Sequence, residues 1–440
     1  MDLRHVFRKL KMGENQVSDD DYELSRRRFI VEGCLANSVY TLTSGAFLVG
    51  YASYLGANDQ FNGIIMALPL LTCVLQMFSP LFLEKLASRK KLIIALCFFY
   101  RILLGLMVLI PIITDNKSAR LLLLGVMYFT AYSAVSFINP AAGSWIISLV
   151  PEKIRGRYFG LRDMFILSSS AVLSLVMGGV LDAFRSQSRV LLGFIVVFSI
   201  ALVVVVLNFL VLRKIKEPAI VPLKQSLNLK IMLAMPLRNE QFRKVVILNI
   251  VWNLTAQIAI PFFSVYMVTG LKLSYTFIMV AGIIMSFSQA LSAKIWGKLS
   301  DKFGWEVTTV SSIGMIGVCH IMWMFVNHST YLLLIPIIQI IAGIAWAGIN
   351  LSLFNIQFKY APQEGRTIFI GFNAALGGLS GFLSALIGAT LIGALSGIKI
   401  NIGVTVLDNM LFLFGLSGLL IVGCAVFASY IFNVKRKSLS

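Results

Sequence analysis

Apolar stretches of roughly 20 residues recur along the whole chain, each long enough to carry a helix across about 30 Å of hydrocarbon. Charged residues are concentrated in short intervals between them. The pattern predicts an all-α membrane protein of twelve transmembrane helices, near residues 30–55, 62–83, 92–113, 121–147, 158–181, 190–212, 244–268, 274–296, 307–327, 331–358, 367–395 and 406–433. A soluble core helix would be shorter and apolar on one face only. Between the sixth and seventh spans runs a polar stretch from Arg213 to Lys244 with Pro218, Pro222 and Pro236, the best boundary in the chain. The expected layout is a cytoplasmic segment 1–28, a six-helix bundle 29–212, a cytoplasmic linker 213–243, a second bundle 244–433 and a tail 434–440.

Composition fits this reading: 58% of residues are hydrophobic and only 13% charged, where a soluble domain has nearer a quarter charged. Lys and Arg outnumber Asp and Glu by 38 to 19. Such a surplus would point to nucleic acid were the basic residues clustered on one domain. They sit instead in alternate loops: Arg26–Arg28, Arg89–Lys91, Arg155 with Arg157, the linker, Lys298 with Lys302, and Lys435–Lys437. The other loops are nearly bare, so both termini and the linker are expected in the cytoplasm of a multi-pass cell-membrane protein, with the lipid bilayer as partner and no nucleic acid. The five cysteines all fall in apolar spans with no CxxC pair, which argues against a disulfide framework or a metal site. No cleavable signal pattern precedes the first span, which is expected to act as the insertion signal. No nucleophile and base pair stands out, so neither an enzyme nor a bound cofactor is expected.

The two halves resemble each other at a nearly constant offset. Asn37 matches Asn253, and Glu84, in Pro80-Leu-Phe-Leu-Glu84, matches Asp301, in Gly297-Lys-Leu-Ser-Asp301. Asn139, Pro151, Arg155 and Gly160 match Asn350, Pro362, Arg366 and Gly371, each at an offset of 211. Six spans per half in the same orientation imply a pseudo-twofold axis along the membrane normal.

At these residues the chain resembles the major facilitator superfamily. That family's signature loop, Gly-x-Leu-x-Asp-x-x-Gly, is matched by Gly297, Leu299, Asp301 and Gly304, while the first-half copy has drifted to Pro80, Glu84 and Ala87. The stretch Pro151-Glu-Lys-Ile-Arg155-Gly-Arg157-Tyr-Phe-Gly160 is similar to the family's loop between helices four and five. The resemblance implies two bundles rocking about a central cavity, with helices 1, 4, 7 and 10 lining it. An acidic signature residue at the bilayer edge needs a cationic or helix-terminal partner. Glu84 and Asp301 with Arg155, Arg157 and Arg366 are therefore the candidates for a cytoplasmic clasp that opens and closes the path.

Polar groups inside spans are expensive and tend to face inward, so they nominate the solute site. The candidates are Asn37 and Tyr40 on the first span, Tyr132 and Asn139 on the fourth, Asn249, Trp252, Asn253 and Gln257 on the seventh, Gln289 on the eighth, and Trp346 and Asn350 on the tenth. Thr41, Gln76, Tyr128, Gln339, Asn355 and Asn373 are secondary candidates. Asn249, Asn253 and Gln257 recur every four residues on one helix face. Amides and rings suit a neutral hydroxylated or amphipathic solute, although such amides also bond helix to helix. Arg101 sits roughly 15 Å into the third span. It either binds an anionic group of the solute or pairs with a carboxylate or with backbone carbonyls. Glu32 is the candidate for proton coupling, with a paired surface residue as the alternative. His320 reads as a satisfied interior histidine. The paired glycines Gly178 and Gly179 lack the proline of the family's drug–proton antiporters, which weakens that assignment.

The expected function is a monomeric secondary transporter of a small molecule, best a neutral polar solute such as a sugar or glycoside, with H+ or Na+ as coupling ion. Efflux of amphipathic drugs or lipids, transport of an organic anion through Arg101, and a non-transporting membrane sensor are the alternatives.

Overall fold

The computed structural model describes residues 19–83, 86, 88–151, 154–217, 229–362, 366–398, 400–402 and 405–432. The apolar runs form helices because a backbone in hydrocarbon must satisfy its own polar groups. Ten helices among the described residues are long and apolar enough to cross a membrane. They are span 2 (Asp59–Leu83), span 3 (Lys90–Ile113), span 4 (Lys117–Leu149), span 5 (Arg155–Ser186), span 6 (Val190–Arg213), span 7 (Glu240–Gly270), span 8 (Tyr275–Phe303), span 10 (Tyr331–Tyr360), span 11 (Ile368–Ala394, in a helix that begins at Arg366) and span 12 (Asn409–Ile431). Two further rods complete the alternation. Span 1 is Asp19–Thr43 continued by Gly45–Tyr54, and span 9 is Trp305–Trp323, a shorter helix rich in Ser and Thr.

Two elements lie outside the rods. A short helix, Leu229–Arg238, precedes span 7, and an antiparallel hairpin of β1 (Ile400–Ile402) and β2 (Thr405–Leu407) joins spans 11 and 12. The alternating rods give the molecule two ends, here called the linker face, which holds Asp19 and Phe432, and the hairpin face.

Breaks in the rods repeat between the halves. Span 1 is interrupted at Ser44, where Gly45 adopts φ +56°, a conformation glycine takes without steric cost. Span 7 is interrupted at Gln257–Ala259 and restarts with Pro261 in its first turn. Gly45 and Pro261 are 216 positions apart, the offset that relates Asn37 to Asn253. The signature loop has a local cause as well. Gly304, at φ +86°, turns the chain from span 8 directly into span 9.

Within the first half, span 1 packs on spans 5 and 6, and span 4 packs on spans 2 and 3. Span 10 packs on spans 8 and 9 in the second half, with span 9 also against span 12. Between the halves, span 2 packs on spans 7 and 11, span 5 on span 8, and the end of span 1 on span 7. The seams of span 2 with span 11 and of span 5 with span 8 need small residues. A Cβ on Gly378 would lie 2.4 Å from the Leu70 carbonyl oxygen, and one on Gly178 would lie 3.2 Å from the Thr276 nitrogen. The closeness of span 8 is thus a packing reason for Gly178.

Candidate functional site

Every hydrogen bond that joins the halves among the described residues lies at the hairpin face. Asp182, near the end of span 5, accepts from the Tyr275 and Thr276 amides at 2.8 Å each and from the Thr276 hydroxyl at 2.7 Å. A carboxylate is well placed there, because the first amides of span 8 have no partner within their helix. Arg185 donates to the Leu273 carbonyl (3.1 Å), Thr269 to Asp59 (2.8 Å) and Gln60 to the Ala389 carbonyl (3.2 Å). Phe47 stacks on Tyr275 behind this row, with ring centroids 6.1 Å apart.

Toward the linker face the packing opens. A cavity of about 310 Å³ lies between spans 2, 4 and 11, and its polar lining includes Gln76, Ser79, Asn139, Ser144 and Arg89. A second cavity of about 320 Å³ lies within the first half, lined by Glu32, Tyr100, Arg101, Asn139 and Arg162 among others. Asn139 borders both.

Arg101 is buried at 5% exposure and is not alone. Its guanidinium donates to Glu32 Oε1 at 3.1 Å and to Asn208 Oδ1 at 2.5 Å. Asn208 in turn donates to the Glu32 backbone carbonyl at 3.1 Å. Spans 1, 3 and 6 are thereby tied through one buried ion pair, which needs these extra bonds because desolvating two charges is costly.

The other predicted residues divide by what they touch. On span 1, Asn37 donates to the Ser170 hydroxyl of span 5 at 2.7 Å, and Tyr40 is exposed. Tyr132 packs against Tyr128 with its hydroxyl buried and unpartnered. The span 7 amides are occupied by packing. Asn249 donates to the Asn373 carbonyl of span 11 at 2.7 Å, and Asn253 donates back to the Asn249 carbonyl at 2.8 Å. Gln257 closes the first segment of span 7, and its side chain lies against Gly381. Trp252 meets Trp346 edge to face at 6.0 Å. Gln289 is half-buried where span 8 crosses Gly343, and Asn350 is exposed. His320 bonds to the Ser417 hydroxyl at 3.0 Å.

Of the clasp candidates, Glu84 lies outside the described residues. Asp301 is exposed in the last turn of span 8, and Arg366 starts the span 11 helix with its guanidinium 5.5 Å over the Phe358 ring. These two are not brought together. Arg155 is half-buried and reaches the Val150 carbonyl at 3.4 Å, while Arg157 is exposed.

Sequence reasoning passed over Asn208, Arg162 and Asp182. Asn208 carried a usable signal as the one amide in the apolar run Val190–Arg213. Asp182 and Arg162 carried none, since both sit in a span already rich in charge near its ends.

Comparison with known proteins agrees with this architecture. The chain shares the fold of a variant of the nucleoside transporter NupG at TM-score 0.67 and 13% identity, covering 92% of this chain and 99% of that one. A D-xylose–proton symporter gives 0.67 at 13%, covering 92% and 97%. A bacterial homologue of the iron transporter ferroportin, in its inward-facing state, gives 0.66 at 15%, covering 92% and 98%. No curated protein matches the sequence. The family model described as Major Facilitator Superfamily matches residues 30–385, and the chain belongs to that superfamily of multi-pass membrane transporters.

Proposed function

We propose that this transporter is a secondary carrier that moves a small, neutral, polar solute by alternating access, with sugars and glycosides the best-suited class. The observation that carries the reading is the asymmetry of its two ends. The hairpin face is sealed by hydrogen bonds across spans 5 and 8 and across spans 2, 7 and 11, whereas polar cavities lie toward the linker face. A carrier that has closed one end and opened the other is arranged in this way. The 310 Å³ cavity offers amide and hydroxyl groups from Gln76, Ser79, Asn139 and Ser144, which both donate and accept as a hydroxylated solute requires.

In this reading the basic linker face is cytoplasmic, with both termini, and the protein works as a monomer in the plasma membrane. Bundles 29–212 and 244–433 pivot about the linker 213–243. The separation of Asp301 from Arg366 is that of a clasp released while the cavity faces the linker side. Glu32, paired to Arg101, is the group through which a proton would couple to transport.

Uptake into proteoliposomes tests the proposal. Labelled neutral sugars and glycosides should accumulate faster than in protein-free vesicles, and Asn139→Ala should lower that rate about tenfold or more while the protein remains monodisperse. Extrusion of amphipathic dyes with no sugar uptake would overturn the substrate assignment.

A further inference from the structure

The second cavity carries a charge that the neutral-solute reading leaves unused. Three charged groups line it: Glu32, Arg101 and Arg162. Glu32 offsets Arg101, while the counter-charge of Arg162, Asp163 at 3.9 Å, has 66% of its side chain exposed and does not line the cavity.

The guanidiniums also have donors to spare. Arg101, more than nine-tenths buried, gives two bonds to Glu32 and Asn208, and its Nε is buried with no partner. Arg162 likewise has a buried Nε with no partner. Its guanidinium packs over Gly33, the residue after Glu32, where even a methyl group would lie 2.8 Å from the Arg162 terminal nitrogen. The backbone of span 1 thus holds Arg162 beside the Glu32–Arg101 pair. Buried donors without acceptors are costly, and the planar fork of a guanidinium matches the two oxygens of a carboxylate.

We infer that the second cavity is a carboxylate subsite and that, beside neutral sugars, the carrier takes hydroxylated organic acids of the sugar-acid type, which it prefers. The inference rests on the proposed function and deepens it. The solute's hydroxyl-bearing body occupies the 310 Å³ cavity, its carboxylate occupies the 320 Å³ cavity between Arg162 and the free edge of Arg101, and Asn139, which borders both, contacts the join.

Calorimetric titration of the purified full-length protein with D-glucuronate, D-galacturonate and D-gluconate, each beside its neutral counterpart D-glucose or D-galactose, tests the inference. The acids should bind on the order of tenfold or more tighter than the neutral sugars, the size of one charge-assisted hydrogen bond. Arg162→Gln should reduce that preference to about onefold. Arg101→Lys, which keeps the charge opposite Glu32 but loses the planar fork, should also reduce it. Equal binding of acids and neutral sugars, or an acid preference untouched by Arg162→Gln, would overturn the carboxylate subsite alone. Binding of neither class would overturn the proposed substrate class itself.

Discussion

The two halves follow one plan of six rods, yet their interiors are held by different chemistry. The first half is tied through Glu32, Arg101 and Asn208 and encloses a cavity bordered by charge. In the second half the position matching Glu32, at the offset of 216, is Leu248, which is fully buried. Its interior is held by aromatic contacts among Phe263, Trp323 and Phe414, by the neutral bond of His320 to Ser417, and by amides of span 7 tied to span 11, while its buried carboxylate, Glu306, pairs with an exposed lysine, Lys359, at the linker end. Duplication kept the packing geometry and let the polar content diverge. In the proposed function, the first half holds the chemistry that discriminates solutes, and the second supplies the surface against which it rocks.

The largest effect should come from breaking the charged tie. Arg101→Leu leaves Glu32 buried without its cationic partner, and thermal or denaturant unfolding should show a loss on the order of 3–5 kcal/mol. Glu32→Leu combined with Arg101→Leu should regain most of it, because an apolar pair of similar volume replaces a buried ion pair at little cost. A double variant as unstable as the single one would mean that the tie is not the source of the stability.

A middle-sized effect belongs to the seal. Asp182→Ala removes three hydrogen bonds to the start of span 8, a cap of a kind measured at about 0.5–2 kcal/mol. Labelling of a cysteine introduced at Phe47, behind the seal, should rise several-fold from the hairpin side; unchanged labelling would place the closure elsewhere.

The smallest effect should be Asn249→Ala in the second half. It loses one helix-to-helix bond to the Asn373 carbonyl, about 0.6 kcal/mol in membrane proteins, and should lower the melting temperature slightly without changing solute affinity. A large affinity loss would move the binding site into the second half and reverse the contrast drawn above.

Much of the fold was legible in the sequence, because hydrocarbon thickness fixes span length and the repeat offset fixes topology. The pairing of Asn37 with Asn253 foretold that spans 1 and 7 would be equivalent, and both prove to be interrupted at matching positions. Side-chain roles were less legible. The spacing of Asn249, Asn253 and Gln257 showed that they share a face, but such a face serves a cavity and a helix contact equally well, and only the nearness of Gly377 and Gly381 reveals the second. The partners of Arg101 come from spans 1 and 6, at sequence separations of 69 and 107 residues, which no periodicity reports. The seal by Asp182 was invisible for the same reason, since it links residues 93 and 94 positions apart across the two halves.

The central claim is that solute crosses only if the hairpin face opens. Cysteines placed at Asp182 and Thr276, in a background where the five native cysteines, all free, are replaced, allow that face to be fastened by oxidation. Oxidised protein in proteoliposomes should stop transporting and should recover on reduction. Transport at equal rates in both states would contradict alternating access through this seal.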